Sequence, residues 1–145
     1  MALHKKASII IAGCGPFGAA MARTIYKKGY KVVVLDQDRD NFRYLPEEYG
    51  GYEMEGDPTD PRVLKEAGIG EAGIVMASTQ DDNANLLIAQ IASRIYHVEH
   101  VYARLEDPSR NHLIMDLPIE PICPIHLTAD EYLDLAESVC RGVAV

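Results

Sequence analysis

The run SIIIAGCGPFG, from Ser8 to Gly18, decides the fold of this chain. Its first half, Ser8 to Ala12, is a continuous apolar segment, which is typical of a strand buried on both faces of a sheet. The segment from Phe17 to Lys28 then carries apolar residues at helical spacing. The glycines between them follow the pattern G-x-G-x-x-G, which in this context predicts a loop that binds a dinucleotide.

Each glycine of the loop has a separate expected role. The first, Gly13, permits the tight turn; the second, Gly15, lets a diphosphate approach the backbone; and the third, Gly18, lets helix and strand pack closely. Pro16 is acceptable in the first helical turn because its missing N–H has no helical partner. The alternative is a glycine-rich turn without a ligand. The predicted phosphate-binding residues are Gly13, Cys14, Gly15, Pro16, Phe17 and Gly18.

The rest of the chain alternates short apolar runs with longer amphipathic segments, which predicts a doubly wound parallel α/β sheet of the Rossmann-like class. Thr128 and Glu131 form a capping box that predicts the start of a last helix. We expect one domain over residues 1–145, with a core over 1–125 and a C-terminal helix over 126–145. Strands are predicted at 8–12, 31–35, 52–55, 74–77, 101–105 and 119–122, and helices at 17–28, 42–49, 60–67, 83–96, 109–115 and from 128.

Composition excludes several classes of protein. A length of 145 residues suits one domain, and the net charge of −8 argues against a binder of nucleic acid. Three cysteines without a CxxC pair and five histidines without ligand spacing predict neither a disulfide framework nor a metal site, so we expect a reducing, cytoplasmic compartment. The chain has no apolar run of about 20 residues and no signal peptide at its start, so any link to a membrane is expected to go through a partner.

Asp36 supplies the second half of the dinucleotide pattern. It ends the second predicted strand eighteen residues after Gly18, where a carboxylate accepts hydrogen bonds from ribose hydroxyls. Such a carboxylate repels a 2′-phosphate and disfavours NADP, although Arg39 could weaken that preference. The alternative is a solvated aspartate in a turn. Gln37 follows Asp36 and is included in the predicted site.

Three further segments end at the same edge of the predicted sheet, where ligands bind in open α/β folds. Asp57 follows strand three near the expected adenine position, but it could equally form a turn. Thr79 could bind phosphate or ribose, or cap a helix. Arg104 could face a diphosphate, or pair with Glu106 or Asp107. The predicted binding residues of these segments are Asp57, Pro58, Ser78, Thr79, Gln80 and Arg104.

Cys14 is the remaining open question of the site. Its place among backbone N–H groups near a helix start could lower the pKa of its thiol and allow a redox role. The alternative, that Cys14 is a small packing residue, is favoured over a redox role.

With these motifs the sequence resembles the RCK or KTN domain family, the nucleotide-binding unit of regulators of potassium transport. The resemblance covers nearly the whole chain, and its polar motifs are more specific than the glycine loop, which many dehydrogenases share. The segments that show the resemblance are IIIAGCGPFG (9–18), VVVLDQD (32–38), EGDPTD (55–60), ASTQDDNAN (77–85) and YARLEDP (102–108).

The resemblance implies a binding site and an assembly. The glycine loop would hold phosphates, Asp36 the adenosine ribose and Asp57 with Pro58 the adenine, while Thr79, Gln80 and Arg104 would line the cleft. Such domains dimerise through a C-terminal helix, form rings and bind a potassium channel or transporter at the membrane. NAD(H), AMP, ADP and ATP stay open as ligands, although some ATP-sensitive relatives carry arginine in place of Pro16. The family often adds a C-terminal ligand-binding lobe, which we do not expect in this chain, although a separate chain could supply it.

We therefore predict a regulatory nucleotide-binding domain, not an enzyme, that responds to an adenine nucleotide and controls potassium transport. No convincing set of acid, base and nucleophile is present in the sequence. The enzyme alternative is a small NAD-dependent oxidoreductase in which Cys14 or a histidine acts near the nicotinamide. A third hypothesis is a structural domain with an empty glycine loop.

Overall fold

The computed structural model describes residues 8–143, with the side chains of residue 132 and residues 138–143 left outside the description. The expectation about the start of the chain therefore concerns residues outside the described part. Six parallel strands form one sheet in the order β3-β2-β1-β4-β5-β6, which confirms the predicted doubly wound α/β class. The strands are β1 Ser8–Ala12, β2 Lys31–Asp36, β3 Tyr52–Glu55, β4 Ala72–Ala77, β5 His100–Arg104 and β6 Ile119–Ile122.

Strand order creates a crevice beside β1. This strand pairs with β2 on one side and with β4 on the other, so the chain leaves it in opposite directions across the sheet. In open parallel sheets a crevice opens at that point, outside the carboxyl ends of the strands. The segments that follow β1, β2, β3, β4 and β5 meet there, and the predicted site residues lie in these segments or at the ends of the strands.

Helices cover both faces of the central strands, which explains their uninterrupted apolar sequence. Ile9 and Ile11 pack on the side of α1 (Pro16–Lys27), whereas Ile10 packs on the opposite side with residues of α2 (Pro61–Glu66) and α3 (Asp82–Gln90). All five residues of β1 are buried. Successive side chains point to opposite faces of a strand, so a strand covered on both sides is apolar throughout.

The predicted helix over 42–49 is wrong in type and position. A 3₁₀ helix covers Arg39–Tyr44 instead, and the Asp38 side chain accepts a hydrogen bond from the Asp40 amide at its start. It ends before Pro46, because the residue before a proline is pushed out of helical conformation. Leu45 accordingly has an extended ψ of 133°.

The helix predicted over 83–96 is present but not uniform. It starts at Asp82, capped by the side chain of Asp81, and a wider turn over Ile91–Ile95 replaces its last part. His97 ends it with a φ of 51°, and the Val98 amide donates to the Ala92 carbonyl. The segment predicted as a helix over 109–115 is a 3₁₀ helix, Pro108–Leu113.

The last helix, α4, covers Pro124–Val143 and begins before the predicted start at Thr128. The proposed capping box is wrong, because the Thr128 hydroxyl lies inside the helix and donates to the Pro124 carbonyl at 2.9 Å. Proline favours the first helical position, which explains the earlier start. The side chains at 125–131 and 133–137 are exposed, so this part of α4 does not pack on the sheet. Tyr132, Val139 and Cys140 of the predicted apolar face lie outside the described side chains.

Within residues 8–143 no helix combines the length and the apolarity that crossing a bilayer requires.

Candidate nucleotide-binding cleft

The glycine loop joins β1 to α1 through a backbone that admits no side chain at two positions. Gly13 has a φ of +111°, and a Cβ added there would lie 2.7 Å from the Thr79 amide nitrogen. A Cβ on Gly18 would lie 1.9 Å from the Gly13 carbonyl oxygen. The loop and the first turn of α1 therefore touch each other and the end of β4, a close approach that glycine allows.

Gly15 differs from these two glycines because space is open around it. A Cβ there would meet nothing within 4 Å, and the residue lies at the N-cap of α1. Within the described residues no side chain caps this helix, and its first turn contains no acidic residue. The unpaired amides and the positive end of the helix dipole therefore face the cleft, which favours an anion such as a phosphate.

Asp36 lies at the end of β2 with its carboxylate turned towards the glycine loop. It is 8% exposed, which excludes the alternative of a solvated turn aspartate. Its Oδ2 accepts from the Cys14 amide at 2.8 Å, and its Oδ1 accepts from the Asp38 amide at 2.8 Å and from the Asn41 side chain at 3.1 Å. These three donors hold the carboxylate in one position at the edge of the cleft. Sequence analysis missed Asn41, which the 3₁₀ helix brings back to the end of β2.

The thiol of Cys14 lies behind the loop and is fully buried. Burial, together with the charges of Asp36 and Glu53, raises the pKa of Cys14 to about 12. A thiol with this pKa is neutral near pH 7 and is a poor nucleophile. The favoured interpretation of Cys14 as a packing residue agrees with this environment, and a redox role does not.

Asn85 ties the ends of β4 and β5 together from a fully buried position in α3. Its Oδ1 accepts from the amide and the hydroxyl of Thr79 at 2.9 and 2.7 Å. Its Nδ2 donates to the carbonyls of Thr79 and Arg104 at 3.0 and 2.8 Å. Thr79 is not the cap of α3, because the side chain of Asp81 takes that role. Ser78 donates to the Ala12 and Gly13 carbonyls, both at 3.3 Å, which joins β4 to the glycine loop.

Arg104 and Asp57 each line the cleft and also make the local contact that the sequence offered as the alternative to ligand binding. Arg104 lines the cleft, and its Nε and Nη2 donate to Glu106 Oε1 at 2.8 and 2.6 Å. Its guanidinium lies 5.2 Å from the centre of the Phe17 ring. Asp57 also lines the cleft, while its Oδ1 accepts from the amide and hydroxyl of Thr59 at 2.9 and 2.7 Å, which makes it a turn former as well.

Together these groups surround a cleft of about 580 Å³, a size that suits a nucleotide. Eleven of the fourteen predicted site residues line it. Cys14, Phe17 and Gly18 do not, because Cys14 and Gly18 are buried behind the loop and Phe17 lies beneath Arg104. The predicted residues that line the cleft are Gly13, Gly15, Pro16, Asp36, Gln37, Asp57, Pro58, Ser78, Thr79, Gln80 and Arg104, and those that the sequence analysis missed are Asn41, Tyr44, Thr59, Asp81 and Ala84.

Over the described part of the chain, no three or more His, Cys, Asp or Glu side chains are grouped in a way that could hold a metal ion.

Curated relatives of this chain include a Trk system potassium uptake protein TrkA and a Trk system potassium uptake protein TrkA homolog. The protein from Streptomyces coelicolor is 38% identical over 125 residues, which cover 86% of this chain and 56% of that protein. The homologue from Pyrococcus horikoshii is 31% identical over 109 residues, which cover 75% of this chain and 48% of that protein. The chain thus spans about half the length of the curated relatives it matches.

Solved structures share the fold at low identity. The TrkA-N domain of the inner membrane protein ybaL from Escherichia coli is 15% identical with a TM-score of 0.78, covering 93% of this chain and 98% of that one. The Kef CTD of Shewanella denitrificans in its AMP-bound form is 22% identical with a TM-score of 0.71, covering 95% of this chain and 82% of that one. Residues 9–123 match the family described as the TrkA-N domain, which confirms the resemblance drawn from the sequence. The chain belongs to the TrkA-N domain family.

Proposed function

We propose that this chain is the nucleotide-binding domain of a regulator of potassium transport, and that an adenine nucleotide in the cleft is its signal. The position of Asp36 carries the proposal, because its buried carboxylate stands beside the glycine loop, 2.8 Å from the Cys14 amide nitrogen, on the side where dinucleotide sites of this fold bind the ribose. Curated relatives are potassium uptake proteins, and similar folds have been solved as the GsuK channel bound to NAD and as the Kef CTD bound to AMP.

In this proposal each part of the nucleotide meets a matching group. The amides of the glycine loop and the start of α1 hold the first phosphate, and Asp36 accepts hydrogen bonds from the ribose hydroxyls. The adenine lies towards Pro58, and the rest of the ligand extends past Thr79 to Arg104. NAD(H), AMP and ADP are the ligands we expect, and ATP is the least favoured.

The environment of Arg39 supports NAD over NADP. The residue could offset the repulsion between Asp36 and a 2′-phosphate, but its Nε lies 3.8 Å from a Glu55 oxygen. Two carboxylates, Asp36 and Glu55, therefore stand at the end of β2 and β3 where the extra phosphate would bind. An anionic surface of this kind disfavours a further dianion.

Regulation, rather than redox catalysis, is supported by the state of Cys14. An oxidoreductase that uses this residue needs a thiolate near the nicotinamide, whereas the Cys14 thiol is fully buried and its pKa is about 12. A ligand controls an assembly through the difference between its affinities for two states, and binding alone is enough for that role.

Assembly through α4 is part of the same proposal. Ile125 and Leu133 lie on one side of α4 and are each 60% exposed, and a second copy of the chain would cover them in a homodimer or a larger ring. The partner of this assembly would be a membrane potassium transporter or channel, with the chain on its cytoplasmic side. Native mass spectrometry of the chain and of Leu133→Glu tests this part: the substitution is expected to lower the mass to that of one chain, whereas Glu131→Gln is not.

The nucleotide is tested directly on the purified chain. Small molecules released by denaturation are identified by mass spectrometry, and the stripped chain is titrated calorimetrically with AMP, ADP, NAD and NADP. We expect saturable binding of the first three and weaker binding of NADP. Failure of every adenine nucleotide to bind or to raise the melting temperature would overturn the proposal and favour a structural domain with an empty loop.

A further inference from the structure

The charges that line the cleft are unevenly balanced. Its lining within the described chain includes three carboxylates, Asp36, Asp57 and Asp81, but Arg104 as its sole cation. The chain as a whole carries a net charge of −8. A nucleotide brings further negative charge, so the availability of Arg104 has a large influence on how many phosphates the cleft tolerates.

Arg104 is already engaged by a neighbouring carboxylate. Its Nε and Nη2 both donate to a single oxygen of Glu106, at 2.8 and 2.6 Å. Glu106 does not line the cleft itself. Both side chains are partly exposed, at 21% for Arg104 and 39% for Glu106, so water can replace either partner when the pair opens.

The position of the pair determines which part of a ligand it meets. β5 lies two strands away from β1, which is about 10 Å across the sheet. The guanidinium nevertheless reaches back over the ring of Phe17 in the first turn of α1. In the proposed binding mode the amides of the glycine loop hold the first phosphate, so the next phosphate along the ligand is the one that extends towards Arg104.

The backbone of Glu106 is held separately from its side chain, which is partly exposed and bonded to Arg104. Asp82 in the first turn of α3 accepts from the amides of Glu106 and Asp107 at 2.9 and 3.1 Å. Release of Arg104 consequently needs a rotation of the Glu106 side chain only, without movement of the loop after β5.

We infer that Glu106 is a specificity-determining residue of the cleft, which competes with the distal phosphate of a nucleoside diphosphate for Arg104. This inference rests on the proposed function and adds a selection among its ligands: Glu106 lowers the affinity for diphosphate nucleotides relative to a monophosphate. A monophosphate, held at the glycine loop, leaves the Arg104–Glu106 pair closed. A diphosphate has to open it.

The test compares ADP with AMP on the full chain by calorimetry at low ionic strength. In Glu106→Gln the affinity for ADP is expected to rise about three- to tenfold, while the affinity for AMP changes less than about twofold. Glu99→Gln is the matched control, because it removes the same charge from the segment before β5, at the opposite edge of the sheet. The double variant Arg104→Ala/Glu106→Gln is expected to bind ADP no more tightly than Arg104→Ala.

The outcomes separate this inference from the proposed function. Binding of AMP to the unmodified chain supports the proposed function alone, and absence of any binding there overturns both. An equal gain for AMP and ADP in Glu106→Gln, or a gain of the same size in Glu99→Gln, reflects net charge and overturns the inference. A loss of ADP affinity in Glu106→Gln also overturns it. Glu106→Ala, which is expected to change ADP affinity in the same direction, replaces the glutamine variant if that variant unfolds.

Discussion

The two sides of the cleft hold their charged groups in different ways. On the β2 side, the Asp36 carboxylate is 8% exposed and accepts two hydrogen bonds from backbone amides. On the β5 side, Arg104 is held by the partly exposed side chain of Glu106. Hydrogen bonds to a buried charge contribute about 1.5 to 3 kcal/mol each, whereas an exposed ion pair contributes about 0.2 to 1 kcal/mol. The ribose side is therefore formed in advance, and the phosphate side can rearrange.

The largest expected effect concerns Cys14, on the preformed side. Because the pKa of its thiol is about 12, we expect iodoacetamide at pH 8 to label Cys14 about a thousandfold more slowly in the folded chain than in the unfolded chain. The rate is measured by mass spectrometry of the peptide that contains Cys14. Labelling at the unfolded rate would mean that this side opens readily, and would remove the contrast between the two sides.

The raised pKa of Cys14 makes the free energy of unfolding depend on pH. It is raised above the usual 9.0, so the contribution of the neutral thiol to the free energy of unfolding is complete below about pH 9 and is lost as the pH rises towards 12. Cys14→Ala lacks this dependence, and the difference between the two urea unfolding curves across that range isolates it.

Two glycines of the loop should separate stability from binding. Gly18→Ala is expected to lower the free energy of unfolding by about 3 kcal/mol, because its Cβ would lie 1.9 Å from a backbone oxygen that cannot move cheaply. Gly15→Ala is the control: space is open around it, so stability should change by less than about 1 kcal/mol while the added methyl group weakens nucleotide binding. Urea unfolding and calorimetry measure the two effects, and equal destabilisation by both substitutions contradicts this assignment.

Asn85 tests whether the backbone on the phosphate side is as firmly held as on the ribose side. Asn85→Leu removes four hydrogen bonds from a fully buried side chain and takes the Asn85 partner from the Thr79 amide and from the carbonyls of Thr79 and Arg104, so we expect a loss of about 2 to 3 kcal/mol in the free energy of unfolding. Asn83→Ala, two residues earlier on the exposed face of α3, should cost less than about 0.5 kcal/mol. A small effect of Asn85→Leu would show that the whole phosphate side, not only its side chains, is loosely held.

Substitutions of Asp36 and Glu106 compare the β2 and β5 sides of the cleft most directly. Asp36→Ala is expected to weaken the binding of AMP by about 1 to 3 kcal/mol, since it removes charge-assisted hydrogen bonds to the ribose. It should also destabilise the fold, because the Cys14 and Asp38 amides lose their acceptor. Glu106→Gln should change the free energy of unfolding by less than about 1 kcal/mol. Unchanged AMP affinity in Asp36→Ala, measured by calorimetry, contradicts the role given to this residue.

Local sequence patterns correctly predicted those elements whose conformation depends on residues nearby in the sequence. The strands at 8–12, 52–55 and 119–122 have the predicted bounds, because short apolar or alternating runs between turn residues leave few other conformations. The predicted start of α4 was wrong because the sequence offers two helix-start signals four residues apart, Pro124 and the capping box at Thr128. The helix begins at the proline. A local sequence pattern does not show which of two competing helix-start signals is the stronger.

The sequence by itself determined the glycine loop, the carboxylate at Asp36 and the doubly wound sheet that places them at one edge. Only the tertiary structure decided that Asn85 joins the ends of β4 and β5, that Asn41 supports Asp36, and that Glu106 rather than Asp107 takes both donors of Arg104. The physical reason is the range of the interactions. A turn or a strand depends on the residues next to it, whereas the partner of a polar side chain depends on which distant segments the completed sheet brings within about 3 Å.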